Sequence, residues 1–329
     1  MSAQTVPVTL GDLQSGIRPR LDGVVAELRR IVETDFGLIS EVNQHLFQMQ
    51  GKLMRPTLLL LADEATGGPD TRAMRLAAVV ELIHLATLVH DDSVDHSVLR
   101  RGMPTINSLF SHQVSVIMGD YLYSRAVIEL VDIGDLAPLK VLSRVTNEMT
   151  VGEMRQLLAH DPLRFSEEDY DLLIRAKTAS LLSGACETGA LSGTPEQREA
   201  LRRFGEHLGM AFQIVDDLLD YTEDEAVTGK PSGLDLREHK VTLPLIHALP
   251  KMTDAERRVV NELMRAPHPS DVQIADVVAS VDRAGGLAYA RDRAAQLAAS
   301  AEQQLETLPP SAAREALRSA ISYVLERRR

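Results

Sequence analysis

The sequence predicts an all-α protein, a single large helical bundle around a central cavity, and three observations carry that expectation. Apolar residues recur at helical spacing along most of the 329 residues, strand-like alternation is scarce, and Ser/Thr-x-x-Asp/Glu/Gln signatures open the later segments.

Residues 10–33 carry apolar positions at that spacing, with Pro19 marking a kink or an early start. Residues 37–49 and 54–66 read as two short helices, with GGPD at 67–70 as a turn. Residues 71–98 form a long apolar helix ending in aspartates. After a loop at Gly102-Met103-Pro104, residues 112–133 and 136–159 read as two further helices.

Ser166-Glu-Glu-Asp169 opens a helix over 167–192. Thr194-Pro-Glu-Gln197 joins a capping box to a proline at the first helical position and opens a helix over 195–226, about 46 Å long at ~1.5 Å per residue. Thr253-Asp-Ala-Glu256 and Ser270-Asp-Val-Gln273 open two more. One long polar interruption, 223–242, stands out, and a loop of that length in a helical protein is often functional. No repeat or low-complexity linker divides the chain, so residues 1–329 read as one domain.

Composition narrows the function classes. Hydrophobic residues at 44% and charged residues at 25% are ordinary for a soluble protein; with aromatics at 4% and no Trp, the core is expected to be Leu, Ala, Val and Ile. The lone Cys186 excludes an intramolecular disulfide and a Cys-based zinc site, and reads as a small buried hydrophobe. A net charge of −12 argues against nucleic-acid binding. No stretch reads as a transmembrane segment, the N-terminus lacks the basic start and apolar run of a signal peptide, and the chain reads as cytoplasmic. The Glu326-Arg-Arg-Arg329 end reads as frayed and solvated.

Chemistry concentrates at two aspartate groups. HLATLVHDDSVDHSVLRR (84–101) ends an apolar run in Asp91, Asp92 and Asp95, and FQIVDDLLD (212–220) ends another in Asp216, Asp217 and Asp220. At ~3.6 residues per turn, the first and last aspartates of each group share a helix face. Like charges so close repel unless a cation neutralises them, and hard oxygen ligands favour Mg²⁺, which takes one or two carboxylates and completes its shell with water and phosphate oxygens. Two such ends facing one cavity would hold divalent metal against a diphosphate. Glu81 and His84 also form a Glu-x-x-His pair, the unit of di-iron bundles, but no second pair matches it. Lys52, Arg55, Arg100, Arg101, Lys177, Lys230 and Lys240 cluster near loops and suit more than one polyanion.

At these residues the chain resembles the trans-isoprenyl diphosphate synthases. DDSVD followed by RRG resembles the family's first Asp-rich motif and DDLLD its second. GKLMRP, MGDYLYSRA, AKTASL and GKPSGLDLREHKVTLPLI fall in the family's order. The resemblance implies an all-α fold of the isoprenoid synthase type, a homodimer, and several Mg²⁺ ions bridging an allylic diphosphate. It implies that Asp91, Asp92, Asp95, Asp216, Asp217 and Asp220 hold the metal and, with Lys177 and Lys230, form the catalytic set. Arg100, Lys177, Lys230 and Lys240 would neutralise the allylic diphosphate, with Thr178 and Gln213 lining its site. Lys52, Arg55, His84 and Arg101 would bind isopentenyl diphosphate. No protein general base is required, in keeping with the lack of a Ser/His/Asp or Cys/His arrangement.

In this family the residues four and five before the first aspartate help set product length. Here they are Thr87 and Ala86, about 6–7.5 Å down the helix axis, and neither is aromatic. That pattern, without an insertion in the first motif, resembles the longer-chain polyprenyl enzymes; Ile83 lies one turn further down and could close the channel earlier. A geranylgeranyl or farnesyl diphosphate synthase is the alternative. A class I terpene cyclase fits poorly, because positions 220 and 224 are both Asp, and a non-catalytic subunit would be expected to show degraded Asp motifs.

Overall fold

Thr9 opens the first helix reciprocally: its hydroxyl accepts the Asp12 N–H and the Asp12 carboxylate accepts the Thr9 N–H. The helix expected over 10–33 is split into α1 (Leu10–Gln14), a 3₁₀ turn (Ser15–Ile17) and α2 (Arg18–Ile31). Pro19 lies in the first turn of α2, where a missing N–H leaves no bond unmade. The structure, a computed structural model, describes residues 8–49, 51–158, 162–222 and 233–327.

Helices α3 (Gly37–Gln48) and α4 (Met54–Ala65) fall where the periodicity places them. Helix α5 (Ala73–Val94) ends four residues before the expected 98, with Asp95 as its C-cap. The segment expected to be a loop is a two-residue antiparallel ladder, β1 (Leu99–Arg100) against β2 (Met103–Pro104). Arg101 and Gly102 turn it with φ of 52° and 76°, the left-handed pair that a tight hairpin requires.

Thr105 caps a short α6 (Ile106–Leu109), followed by α7 (His112–Ile133) and α8 (Leu136–Leu158). The helix expected over 167–192 is four pieces: α9 (Glu167–Ile174), a π-helical turn (Arg175–Ala179), α10 (Ser180–Gly189) and a 3₁₀ turn (Ala190–Ser192). The Thr194–Gln197 box forms and opens α11 (Pro195–Thr222); residues 223–226 of the expected helix lie outside the described residues. Of the polar stretch 223–242, residues 223–232 also lie outside, and the rest holds the short α12 (Leu234–Arg237). There follow α13 (Leu243–Ala248), the capping-box helices α14 (Asp254–Arg265) and α15 (Asp271–Arg283), α16 (Gly286–Gln304) and α17 (Ala312–Glu326).

Packing is centred on α10, which is buried at every position, Cys186 included, and touches α4, α5, α8 and α11. It therefore stands between the two helices that carry the aspartates. Gly205 and Gly209 let α11 approach it: a Cβ on Gly205 would lie 2.6 Å from the Leu182 carbonyl oxygen, and one on Gly209 2.6 Å from Ala179 Cα. The buried apolar residues form one continuous core from Leu13 to Val324, dominated by Leu, Ala, Val and Ile. Each fully buried Leu or Ile contributes roughly 1.5–3 kcal/mol against solvent exposure. Contrary to the reading of the sequence, α5 is long and apolar enough to cross a membrane by length and composition, yet 61% of its apolar window is buried inside the fold. It packs against α2, α4 and α7 as a core helix.

Candidate active site

The end of α5 brings out the first aspartate group in three different settings. Asp92 is buried and accepts a charge-assisted bond from Arg100 Nε at 2.8 Å. Asp95 is exposed, and its N–H donates to the Asp91 carbonyl at 2.8 Å. Asp91 is half-buried, and burial raises its pKa to about 6, with Glu153 and Asp95 pushing the same way and Lys177 and Arg100 opposing.

The second group, at the end of α11, is divided in the same manner. Asp217 is buried; it accepts from Tyr170 Oη at 2.5 Å and from Gln213 Nε2 at 2.8 Å. Burial, with Asp235 and Asp216 nearby, holds its pKa well above the usual carboxylate range. Asp220 accepts the N–H groups of Leu234 and Asp235, each at 3.0 Å, and so caps α12. Asp235 itself is pushed up to about 7, by burial first and then by Asp220. Asp216 is exposed and pairs with Arg327, so this residue of the end expected to be frayed is seated on the site, while residues 328–329 lie outside the described residues.

The π-helical turn before α10 joins the two groups. Lys177 Nζ lies 2.7 Å from Glu153 Oε1 and 3.9 Å from Asp91 Oδ2. The next residue, Thr178, donates to Gln213 Oε1 at 2.8 Å, and Gln213 in turn holds Asp217. A π turn adds one residue to a helical cycle and rotates the chain that follows, and such turns recur at functional sites. Lys240 donates to Glu238 at 2.6 Å and stands within electrostatic reach of both Asp235 and Asp95. Lys230 lies outside the described residues.

A cationic pocket adjoins the first group. Burial lowers the Arg55 pKa to about 10, with Arg101 adding and Glu81 opposing. Its Nε is buried without a hydrogen-bond partner. Burial, and then Arg55, Arg101 and Arg100, hold the His84 imidazole well below its usual range, so it is neutral near pH 7. Arg101 is anchored by a 2.9 Å bond to the Met49 carbonyl. Lys52 is exposed, with its ammonium 6.0 Å above the Tyr323 ring. Three guanidinium groups and a neutral imidazole share this corner with two carboxylates, Asp92 on Arg100 and Glu81 facing Arg55 and Arg101, and the excess of cations favours an incoming anion.

A cleft beside these arginines is lined by Leu46, Met49, Leu85, Leu88, Asp92, Arg100 and Arg101, among others. The candidate length-setting residues are on other faces of α5. Ile83 and Ala86 are buried in helix packing, and Thr87 is half-buried, with its hydroxyl on the His84 carbonyl at 2.8 Å.

Among the described residues, no three His, Cys, Asp or Glu side chains converge on a ready-made metal cage, which also leaves the Glu81–His84 pair without partners. The donor set fits a divalent cation of the Mg²⁺ type. Asp91 and Asp95 on one side and Asp216 on the other offer hard oxygens, and phosphate and water would complete the shell. Glu153 and Tyr170 were missed from the sequence. Tyr170 lies in α9, before the π turn, and reaches Asp217, whereas Glu153 reaches Lys177 from α8.

The polyprenyl synthetase family matches residues 37–281. The chain is 42% identical over 298 residues to the all-trans-nonaprenyl-diphosphate synthase (geranyl-diphosphate specific) of Rhodobacter capsulatus, covering 90% of this chain and 91% of that one. It is 37% identical to the octaprenyl diphosphate synthase of Escherichia coli strain K12, covering 90% and 92%. Its fold superposes on a polyprenyl synthase from Caulobacter crescentus complexed with calcium and isoprenyl diphosphate, with a TM-score of 0.92, 33% identity and coverage of 99% and 100%.

Proposed function

The chain belongs to the polyprenyl synthetase family and is a polyprenyl diphosphate synthase, and we propose that it extends an allylic diphosphate with isopentenyl diphosphate, head to tail and trans, to a long-chain product. One observation carries the residue-level reading: Lys177 and Thr178 tie the two aspartate groups to a single turn beside a pocket in which cations outnumber carboxylates.

Arg100, Lys177 and Lys240 would receive the allylic diphosphate, together with Lys230, while Thr178 and Gln213 line its place. Lys52, Arg55, Arg101 and the neutral His84 would hold the diphosphate of isopentenyl diphosphate. When bound, Mg²⁺ ions supply Lewis-acid neutralisation of the departing diphosphate. The Asp91, Asp95 and Asp216 carboxylates would hold them from the two sides, while Asp92, Asp217 and Asp220 orient their neighbours.

Cleavage of the allylic C–O bond leaves a cation, the isopentenyl double bond forms the new C–C bond, and one proton leaves. Arg100, Lys177, Lys230 and Lys240 stabilise the leaving diphosphate, which can also take that proton. Small side chains at Ala86 and Thr87 support a long product. Two copies would pair through the exposed apolar side chains of α7 and α8, including Ile117, Val131 and Leu136, which are 65%, 61% and 79% exposed.

Purified protein incubated with Mg²⁺, radiolabelled isopentenyl diphosphate and geranyl or farnesyl diphosphate should yield extended products, resolved by chromatography. Failure to extend any primer would refute the activity, and products stopping at four isoprene units would refute the long-chain reading.

A further inference from the structure

Arg327 follows the last residue of α17 and opens a run of three arginines, yet its side chain is only 4% exposed. Its guanidinium lies 3.8 Å over the ring of Phe212 and donates to Asp216, which stands one turn beyond Phe212 on α11. The contact has two halves: an aromatic face that holds the flat cation, and a carboxylate that neutralises it. Arg327 Nε is buried without a partner, so this seat is built around Asp216 and Phe212 rather than around a full set of hydrogen bonds. Asp216 keeps 58% of its side chain exposed, which leaves that carboxylate open on its other side.

We propose that Arg327 is an internal counter-ion of the second aspartate group, holding Asp216 in the metal-free protein and displaced when a divalent cation takes that carboxylate. The inference rests on the metal reading of Asp216 given above. A guanidinium and a divalent cation compete for the same oxygens, and close approach of the two positive charges is unfavourable. Metal loading is therefore an exchange, and it releases the end of α17 from Phe212. The same helix places Tyr323 beneath the Lys52 ammonium, so the released end also borders the isopentenyl diphosphate pocket.

The test is a titration of the full chain with Mn²⁺ alone, following the electron paramagnetic resonance signal of the free ion, for wild type, Arg327→Gln and Phe212→Leu. Arg327→Gln should bind Mn²⁺ about two- to fivefold more tightly, the range expected on removing a partly exposed competing ion pair. Phe212→Leu, which keeps the charge but removes its seat, should shift in the same direction by less. Equal or weaker affinity in Arg327→Gln overturns the proposal while leaving the metal reading intact. Mn²⁺ binding to none of the three removes the metal reading and the proposal with it.

Discussion

Lys177 and Thr178 are consecutive in the chain and serve opposite walls of the site: the lysine ammonium reaches Glu153 and Asp91, and the threonine hydroxyl bonds Gln213, which holds Asp217. Helical neighbours differ by about 100° in direction, so one turn leading into the buried α10 can address both of the helices that carry the aspartates.

Replacing Lys177 by Gln is expected to lower kcat by about 10²–10³-fold, the range for losing one preorganised charge-stabilising group. Thr178→Val should cost less, because it acts through Gln213. Steady-state rates of isopentenyl transfer at saturating substrate check both, and equal losses in the two variants would contradict the division of roles.

The two aspartates of each motif should not behave alike. Asp91→Ala and Asp216→Ala are expected to abolish most turnover. Asp92→Asn also leaves Arg100 without its carboxylate, and should destabilise the fold by about 1–3 kcal/mol. Urea unfolding separates these outcomes: the first pair lose rate without losing stability, while Asp92→Asn loses both.

Tyr170→Phe removes the hydroxyl that donates to the buried Asp217 carboxylate. An unfolding free energy lower by about 1–3 kcal/mol is expected, with a weaker response of the melting temperature to added Mg²⁺. Calorimetry with and without the metal reads both changes.

The pH dependence of the metal-free protein follows from Asp91, raised from 3.8 to about 6. Its native state holds a proton more tightly than the unfolded chain, so its contribution to stability is highest below the unfolded value and falls as pH rises through the folded one. In chelator, Asp91→Asn should gain about 1–3 kcal/mol relative to wild type between pH 4 and pH 7.5. Denaturant midpoints across that range measure the gain, and a pH-independent difference would contradict the burial of this carboxylate.

Much of this architecture was legible because helix starts are written in short codes. The boxes at Thr194, Thr253 and Ser270 form as read, and α3 and α4 match their apolar periods closely. The π-helical turn at Arg175–Ala179 was not legible, since one extra residue in a cycle leaves the composition and nearly all of the periodicity unchanged. The two Asp motifs were found by pattern, but the pattern treats their members as equals. Only packing shows that Asp92 and Asp217 are buried on protein partners while Asp95 and Asp216 keep exposed carboxylates and Asp91 is half-buried. Arg327 was missed for a related reason: a run of basic residues at a chain end reads as solvated until a ring and a carboxylate are brought beneath it.

The hairpin after α5 spans four paired residues, with Leu99 opposite Pro104 and Arg100 opposite Met103. Arg100 points to Asp92 from the ladder, and Arg101, at the turn, points to the Met49 carbonyl. Deleting one residue before Arg100 would bring Arg101 to the rung that faces Asp92 and Gly102 to the turn position that holds the Met49 carbonyl, so one of the two arginine contacts would be lost. Two consecutive arginines thus serve two different walls because a four-residue ladder fixes their alignment.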